Sequence, residues 1–247
     1  MSKNNLSAIV LAAGRGERMG LTAQNKVTLV LAGKPIILHG IELLEKLNIS
    51  PIVVVVGFAK ESVIEVIKDR ACFVEQPERL GSANAVLTSL NDIPEGTENV
   101  LVINGDDSAF YSEELIQELI RKHIDLNSEL TFLTIEVENP KGLGRIVRDE
   151  NGKLLAIIEE KDASDTQRQI KEINPQCFIF KVEFLKKYLH KIEKNKITGE
   201  HYLTDIVDIA IKKNEKVQDV FVGKIPWRGI NTEEEFNEAE RLLGKNG

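Results

Sequence analysis

Two cysteines, one tryptophan, four histidines and an aromatic share of 5% leave this 247-residue chain poor in the residues that often mark a cofactor or metal centre. Cys72 and Cys177 are far apart and in no Cys-x-x-Cys spacing, which excludes a zinc knuckle or a dithiol redox pair. Each falls in an apolar strand-like run, so both are expected as buried free thiols. Long apolar runs are missing as well. The stretch 6–13 is too short to cross a membrane and belongs to a fold motif, and no signal peptide is evident, so a cytoplasmic protein is the expectation. Positive charge is in deficit, 32 Lys and Arg against 39 Asp and Glu for a net −7, which argues against nucleic acid as the main partner. An anionic ligand would need locally gathered cations or a metal. No internal repeat, low-complexity tract or linker breaks the chain. With 42% hydrophobic residues it can bury a full core as one large domain, or one domain with a small lobe.

What is present alternates. Strand-like runs at 7–11, 52–56, 72–75, 100–104 and 130–137 are separated by helical patterns at 36–47, 60–69, 83–90 and 113–123, the last opened by Ser112 as N-cap. This pattern implies βαβ units, a mainly parallel sheet, and ligands at the carboxyl ends of its strands. Beyond residue 137 the runs shorten to 145–148 and 154–160 around the turn Asp149-Glu150-Asn151-Gly152, an antiparallel addition. A strand at 178–182, helices at 182–192 and 202–212, a strand at 217–222 and a helix at 232–243, stopped by Gly244, complete the reading.

The first strand runs into Leu11-Ala12-Ala13-Gly14-Arg15-Gly16-Glu17-Arg18-Met19, with Lys26 shortly after. Glycines 14 and 16 let backbone N–H groups turn inward, and the cations suit a polyphosphate; an ordinary glycine-rich turn with an exposed basic loop is the plain alternative. A dinucleotide fingerprint fails, because the third glycine is off by one position and the strand 52–56 carries no acid at its tip. A Walker A loop fails too, since no Gly-Lys-Ser/Thr follows. Asp106 follows the apolar run Val100-Leu101-Val102-Ile103, turned outward by Asn104-Gly105, and a hard oxygen there suits Mg²⁺. The alternative is a turn aspartate capping the next helix, a role for which Asp107 is the better candidate.

In order along the chain, Leu11–Met19, Glu75-Gln76-Pro77-Glu78-Arg79-Leu80-Gly81-Ser82-Ala83, Val102–Asp106, Gly142-Leu143-Gly144-Arg145-Ile146, Ile158–Ala163, Glu172-Ile173-Asn174 and Gly199-Glu200-His201-Tyr202-Leu203-Thr204-Asp205 resemble the motifs of the sugar-1-phosphate nucleotidylyltransferases. Within that family the likeness is nearest to the uridyltransferase domain of bacterial N-acetylglucosamine-1-phosphate uridyltransferases. The hexapeptide repeats that follow that domain in the bifunctional enzymes do not occur in this sequence, so no acetyltransferase half is expected.

The resemblance implies a Rossmann-like three-layer α/β/α fold, the nucleotide-diphospho-sugar transferase fold, with a mixed, mainly parallel sheet and a small antiparallel sugar-binding addition. It implies one nucleotidyltransferase domain over 1–247, with a nucleotide-binding part over about 1–125, a sugar-binding part over about 126–231 and a C-terminal helix at 232–244. Arg18 and Lys26 are expected to hold the triphosphate and, with Asp106, to act in catalysis. Leu11, Ala12, Ala13, Gly14, Asn104 and Gly105 should line the nucleotide. Gln76 should read a pyrimidine edge, and Gly81 and Ser82 should bring backbone close to the base. For the sugar, Gly144 should pack against the ring, Glu159 and Asn174 should meet its hydroxyls, and Lys161, taken to share a strand face with Glu159, its phosphate. A surface Lys–Glu strand is the alternative for that pair. Asp106 and Asn231 are the implied ligands of Mg²⁺, although Asn231 could instead cap the last helix with Thr232.

The sequence departs from the family at Gln24-Asn25, where Leu-Pro usually precedes the lysine, and at Ser82 for threonine. It departs again at Leu143 for an aromatic, and at Pro175-Gln176 for Thr-Gly. The last two border the expected sugar pocket, so they bear on which sugar is used. His39, His123 and His190 read as surface or interface residues, His201 as non-catalytic, and Trp227 as the seat of the last helix. The reaction implied is in-line attack of a sugar 1-phosphate, such as N-acetylglucosamine 1-phosphate, on the α-phosphorus of UTP, releasing pyrophosphate. A related acceptor or dTTP is one alternative, and a non-catalytic sugar-nucleotide sensor another. Partners are then the two substrates, with no nucleic acid and no membrane; a homo-oligomer is left open.

Overall fold

The fold is described from a computed structural model that covers residues 5–244. In chain order, β1 (Leu6–Ala12) is followed by a two-stranded ribbon, β2 (Val30–Leu31) and β3 (Lys34–Pro35), and then α1 (Ile36–Lys46). Next come β4 (Ile52–Val56), α2 (Lys60–Ile67), β5 (Cys72–Glu75), α3 (Ser82–Ser89), β6 (Asn99–Asn104), α4 (Glu113–Asp125) and β7 (Leu130–Glu136). The hairpin β8 (Gly144–Arg148) and β9 (Leu154–Ile158) precedes α5 (Asp165–Arg168), β10 (Glu172–Asn174), β11 (Phe178–Lys181) and α6 (Val182–Tyr188). The chain closes with α7 (Asp205–Lys212), β12 (Val217–Lys224) and α8 (Glu233–Gly244).

Ten strands form one sheet in the order β5-β4-β1-β6-β11-β7-β10-β8-β9, with β12 pairing β7. Strands β5, β4, β1 and β6 are mutually parallel, and the pairings carry that direction on to β7, β12 and β8; β9, β10 and β11 run against it. The expected mixed, mainly parallel sheet is therefore present, and β8–β9 extends it antiparallel through β10. Both faces are covered, which is why the central strands carry no polar stripe. Ala8, Val10, Val54, Val56, Leu101 and Ile103 point to one core, shared with Ile37, Ile41, Val63, Leu119 and Ala239. Ile9, Val53, Val55, Val100 and Val102 point to the other, with Val86, Leu185, Ile206 and Val207.

Several expectations shift. Cys177 is buried but Cys72 is exposed, because β5 is the edge of the sheet and Cys72 is its first residue. His123 is not at the surface: it lies on the inner side of α4, with Nδ1 bonded to Thr131 Oγ1 at 2.8 Å and Nε2 to Asn99 Oδ1 at 3.0 Å. His39 is half-buried on Leu31 O, and His190 is exposed. The helix expected from 202 begins at Asp205, because residues 201–203 are tied to the loop before α3. The helix expected to reach 192 ends at Tyr188, with one tighter turn after it. Ser112 caps α4 as expected, accepting from Leu115 N.

The carboxyl ends of β1, β4, β5 and β6 reach the same side of the sheet, where their loops meet. Strands β10 and β11 both lie antiparallel along β7, interrupted at Pro175-Gln176. That interruption sits opposite the end of β6, and the site opens there.

Candidate active site

Two adjoining cavities occupy this end of the sheet. One, of about 340 Å³, is lined by Leu11–Gly14, Asn25, Lys26, Val27, Gln76, Arg79, Gly81, Ser82, Ala85, Asn104, Asp106, Gln176, Glu200, Tyr202 and Asn231. The other, of about 150 Å³, is lined by Arg18, Asn104, Asp106, Asp107, Gly142–Gly144, Glu159, Asn174–Gln176, Trp227, Gly229 and Asn231. Asn104, Asp106, Gln176 and Asn231 belong to both. Most residues expected for a nucleotide line the larger cavity and those expected for a sugar, Lys161 apart, the smaller, the two meeting at Asn104, Asp106 and Asn231; Arg18, expected at the triphosphate, lines only the smaller. Gly105 is not a lining residue; its N–H donates to Leu11 O at 2.9 Å and so turns Asp106 into the cavity.

Lys26 sits at the meeting point. Its ammonium donates to a carboxylate oxygen of Asp106, to Ile230 O at 2.8 Å and to Asn231 Oδ1 at 3.0 Å. Residues 204 and 205 positions apart in the chain are thereby held around one cation. Gly16 makes this approach feasible: it is left-handed (φ +62°), and a Cβ there would stand 3.3 Å from Lys26 Cβ. Asn25, fully buried where the family has proline, fixes the lysine from the other side. Its carboxamide donates to Ala12 O (3.0 Å), Gly14 O (3.1 Å) and Phe58 O (2.8 Å), and its oxygen accepts Val27 N–H (3.2 Å). Nothing in the local pattern signals this clamp, since a polar residue beside a glycine loop reads only as a turn.

The oxygens around the Lys26 ammonium fit a Mg²⁺ ion. They are hard, include one carboxylate, and already converge on a positive charge; such an ion takes one or two protein oxygens and fills its shell with water and phosphate. Among the described residues no group of three or more His, Cys, Asp or Glu side chains gathers, so a softer transition-metal cage is not built. The capping role considered for Asn231 goes to other residues: Thr232 Oγ1 accepts Glu235 N–H while Glu235 accepts the Asn231 and Thr232 N–H groups. The capping role suggested for Asp107 is not made by its side chain, which is buried with one oxygen 3.4 Å from Tyr111 OH. Burial, and then the neighbouring Asp106 charge, holds its carboxyl well above the usual range.

At the far end of the larger cavity, Gln76 Nε2 donates to Gly81 O (3.1 Å) and Asn84 Oδ1 (2.8 Å). Gly81 O can only accept, which fixes the amide orientation and leaves Gln76 Oε1 as the unengaged atom. Gly81 is left-handed (φ +98°), and a Cβ on it would meet the backbone of His201. Ser82 does not spend its hydroxyl on the cavity: Oγ accepts Leu203 N–H at 2.9 Å. Arg79, in the quoted motif but given no role, lines the cavity and pairs with Glu17 at 2.8 Å. Arg15 stacks over Phe58, while Arg18 is exposed at the rim of the smaller cavity.

In the smaller cavity Gly144 offers bare backbone, a Cβ there lying 3.2 Å from Ile157 Cγ2. Glu159 accepts from Thr204 Oγ1 at 2.7 Å, and burial pushes its carboxyl up. Asn174 lines the wall, but its amide is engaged with Leu133 O (2.9 Å) and with the N–H of Gln176 (3.0 Å). Lys161 is a correction. Strand β9 ends at Ile158, Glu159 O accepts Asp162 N–H to form a turn, and the exposed Lys161 reaches neither cavity. Trp227 is buried, and its ring edge lies where a Cβ on Gly229 would fall, 3.2 Å away.

A sequence profile of the nucleotidyl transferase family matches residues 7–246. The chain is 39% identical over 246 residues to the bifunctional protein GlmU of Caldicellulosiruptor saccharolyticus and 36% identical over 240 residues to that of Thermoanaerobacter pseudethanolicus. These matches cover 98% and 97% of this chain but 52% of each relative, so the chain spans about half the length of the curated relatives it matches. Among solved structures, a putative glucose-1-phosphate thymidylyltransferase from Bacillus anthracis superposes with a TM-score of 0.79 at 19% identity, over 96% of this chain and 94% of that one, a likeness of fold. No described helix is long and apolar enough to cross a membrane.

Proposed function

Because the chain belongs to the nucleotidyl transferase family, we propose that it transfers a nucleotidyl group from a pyrimidine nucleoside triphosphate, UTP in the first instance, to a sugar 1-phosphate. N-acetylglucosamine 1-phosphate is the favoured acceptor, on the likeness to the GlmU proteins. The observation that carries the reading is the convergence of Lys26, Asp106 and Asn231 where the two cavities meet.

Both substrates are polyanions, so charge neutralisation and positioning supply most of the catalysis. The base lies against Gln76. Its free Oε1 accepts the N3–H of uracil or thymine, whereas cytosine presents only a lone pair there. The phosphates run along Leu11–Gly14 towards Lys26 and Arg18, which bind their oxygens as charge grows on the leaving group. Asp106 and Asn231 would hold a Mg²⁺ ion once the Lys26 ammonium turns from them to the phosphates, and the ion would supply further neutralisation of phosphate charge. The sugar lies over Gly144, with Glu159 as hydrogen-bond partner. A phosphate oxygen of the acceptor attacks the α-phosphorus; the bond from that phosphorus to the bridging oxygen breaks, and pyrophosphate leaves. The attacking group is already an anion, so no general base is needed. One anhydride is lost and one gained, which makes the step close to reversible.

Pyrophosphate release over a panel of nucleotides and sugar phosphates, with and without Mg²⁺, tests the reading. Mg²⁺-dependent release with UTP and a hexose 1-phosphate is expected. Binding of sugar nucleotides with no turnover under any pairing would instead identify a sensor. We place the protein in the cytoplasm.

A further inference from the structure

Of the four residues common to both cavities, Asp106 and Asn231 have a part in the proposed reaction and Asn104 in the expected nucleotide site, whereas Gln176 has none. Its backbone is fixed on both sides. The residue is left-handed (φ +56°), its N–H donates to Asn174 Oδ1 at 3.0 Å, and the preceding carbonyl, Pro175 O, accepts Tyr111 OH at 2.9 Å. The next residue, Cys177, is fully buried and its carbonyl accepts Leu133 N–H at 3.0 Å. The carboxamide contrasts with this. It is half-buried on the cavity wall, and among the described residues it has no hydrogen-bond partner, whereas those of Asn25, Gln76 and Asn174 are engaged.

We infer that Gln176 is a specificity-determining residue whose free carboxamide hydrogen-bonds the acceptor sugar beside its phosphate-bearing carbon. The inference rests on the proposed transfer reaction. The wall shared by the cavities is where donor and acceptor phosphates must meet, so a side chain there faces the phosphate end of the sugar and not the base, which lies at Gln76. The substituent nearest that phosphate is the one on the adjacent carbon, C2. A neutral amide both donates and accepts, so it matches a hydroxyl or an acetamido group and leaves a bare CH₂ unpaired. Sites that recognise a polar group by hydrogen bonding reject analogues lacking it.

The test uses UTP with glucose 1-phosphate, N-acetylglucosamine 1-phosphate and 2-deoxyglucose 1-phosphate. Glycine accepts the φ of this position, so Gln176→Gly folds and deletes the whole side chain without backbone strain; Gln176→Asn keeps the amide and shortens its reach. For Gln176→Gly, the preference in kcat/KM for the better 2-substituted acceptor over the 2-deoxy one falls about tenfold, while the KM for UTP moves less than twofold. Gln176→Asn retains part of the preference. An unchanged preference in Gln176→Gly, or a loss confined to the KM for UTP, overturns the inference. If wild-type protein releases pyrophosphate with no pair, the transfer reading fails separately. Calorimetric binding of the three sugar phosphates then decides: equal binding to wild type and Gln176→Gly overturns the inference, and selective loss of the 2-substituted sugars supports it.

Discussion

Replacing Lys26 by methionine keeps most of the side-chain volume and removes the charge around which the two cavities are organised. The ammonium has three N–H donors, and all three are used, on Asp106, Ile230 O and Asn231 Oδ1. The side chains of Lys26 and Asp106 are only 10% and 15% exposed. Removing one partner of a buried pair costs about 3–5 kcal/mol, but these oxygens border an open cavity that water can enter, which lowers the figure to about 2–3 kcal/mol. For a chain of this size that is a fall in Tm of roughly 4–12 °C. The same substitution frees oxygens that suit a divalent cation, so millimolar Mg²⁺ should raise the Tm of Lys26→Met more than that of the wild type. Turnover should fall by about 10²–10³-fold, the scale for losing one electrostatic contact to a reacting oxyanion. Thermal denaturation with and without Mg²⁺, alongside pyrophosphate release, reads all three effects. A Tm within 1 °C of wild type, or equal responses to Mg²⁺, would refute the claim that Lys26 occupies a cation site.

Other perturbations test the surroundings. Asn25→Ala removes a fully buried clamp on the loop and should cost roughly 2–3 kcal/mol; denaturant unfolding reads this, and the KM for the nucleotide should rise more than that for the sugar phosphate. Gly81→Ala forces a Cβ against the His201 backbone at a left-handed position, so a loss of at least about 2 kcal/mol and weaker nucleotide binding are expected in calorimetry. Burial lowers the His123 pKa to about 4, against roughly 6.5 when unfolded. Below pH 6.5 the unfolded chain therefore takes up a proton that the folded chain refuses, and stability falls as pH drops towards 4, by about 3 kcal/mol in all. His123→Gln should flatten that part of the stability–pH curve, and an unchanged slope would refute the assignment.

The sequence made some of this legible and hid the rest for physical reasons. The central strands could be read because burial on both faces leaves them uniformly apolar, and Gly14, Asp106 and Gln76 fall at their tips by chain order alone. Lys26 and Asn231 are more than 200 residues apart, so their proximity could be suspected only from the family pattern. The exposure of Cys72 depends on which strand lies at the edge, and the burial of His123 on which side of α4 faces the sheet; local composition encodes neither. The strand expected over 154–160 runs past its end at Ile158 because nothing in Glu159-Glu160-Lys161 signals a turn. Gln176 and Asn25 stand out in the sequence only as departures from the family pattern, since a left-handed glutamine or a three-way amide clamp leaves no recognisable spacing.

The most direct test of the account is the Mg²⁺ dependence of pyrophosphate release in wild type, Asp106→Ala and Asn231→Ala, each verified as folded by circular dichroism. The account predicts release that saturates with Mg²⁺ in the wild type, a loss of at least about 10²-fold in Asp106→Ala at every Mg²⁺ concentration, and a half-saturating concentration raised about tenfold in Asn231→Ala. Release from Asp106→Ala at the wild-type rate, with the wild-type response to Mg²⁺, would contradict it.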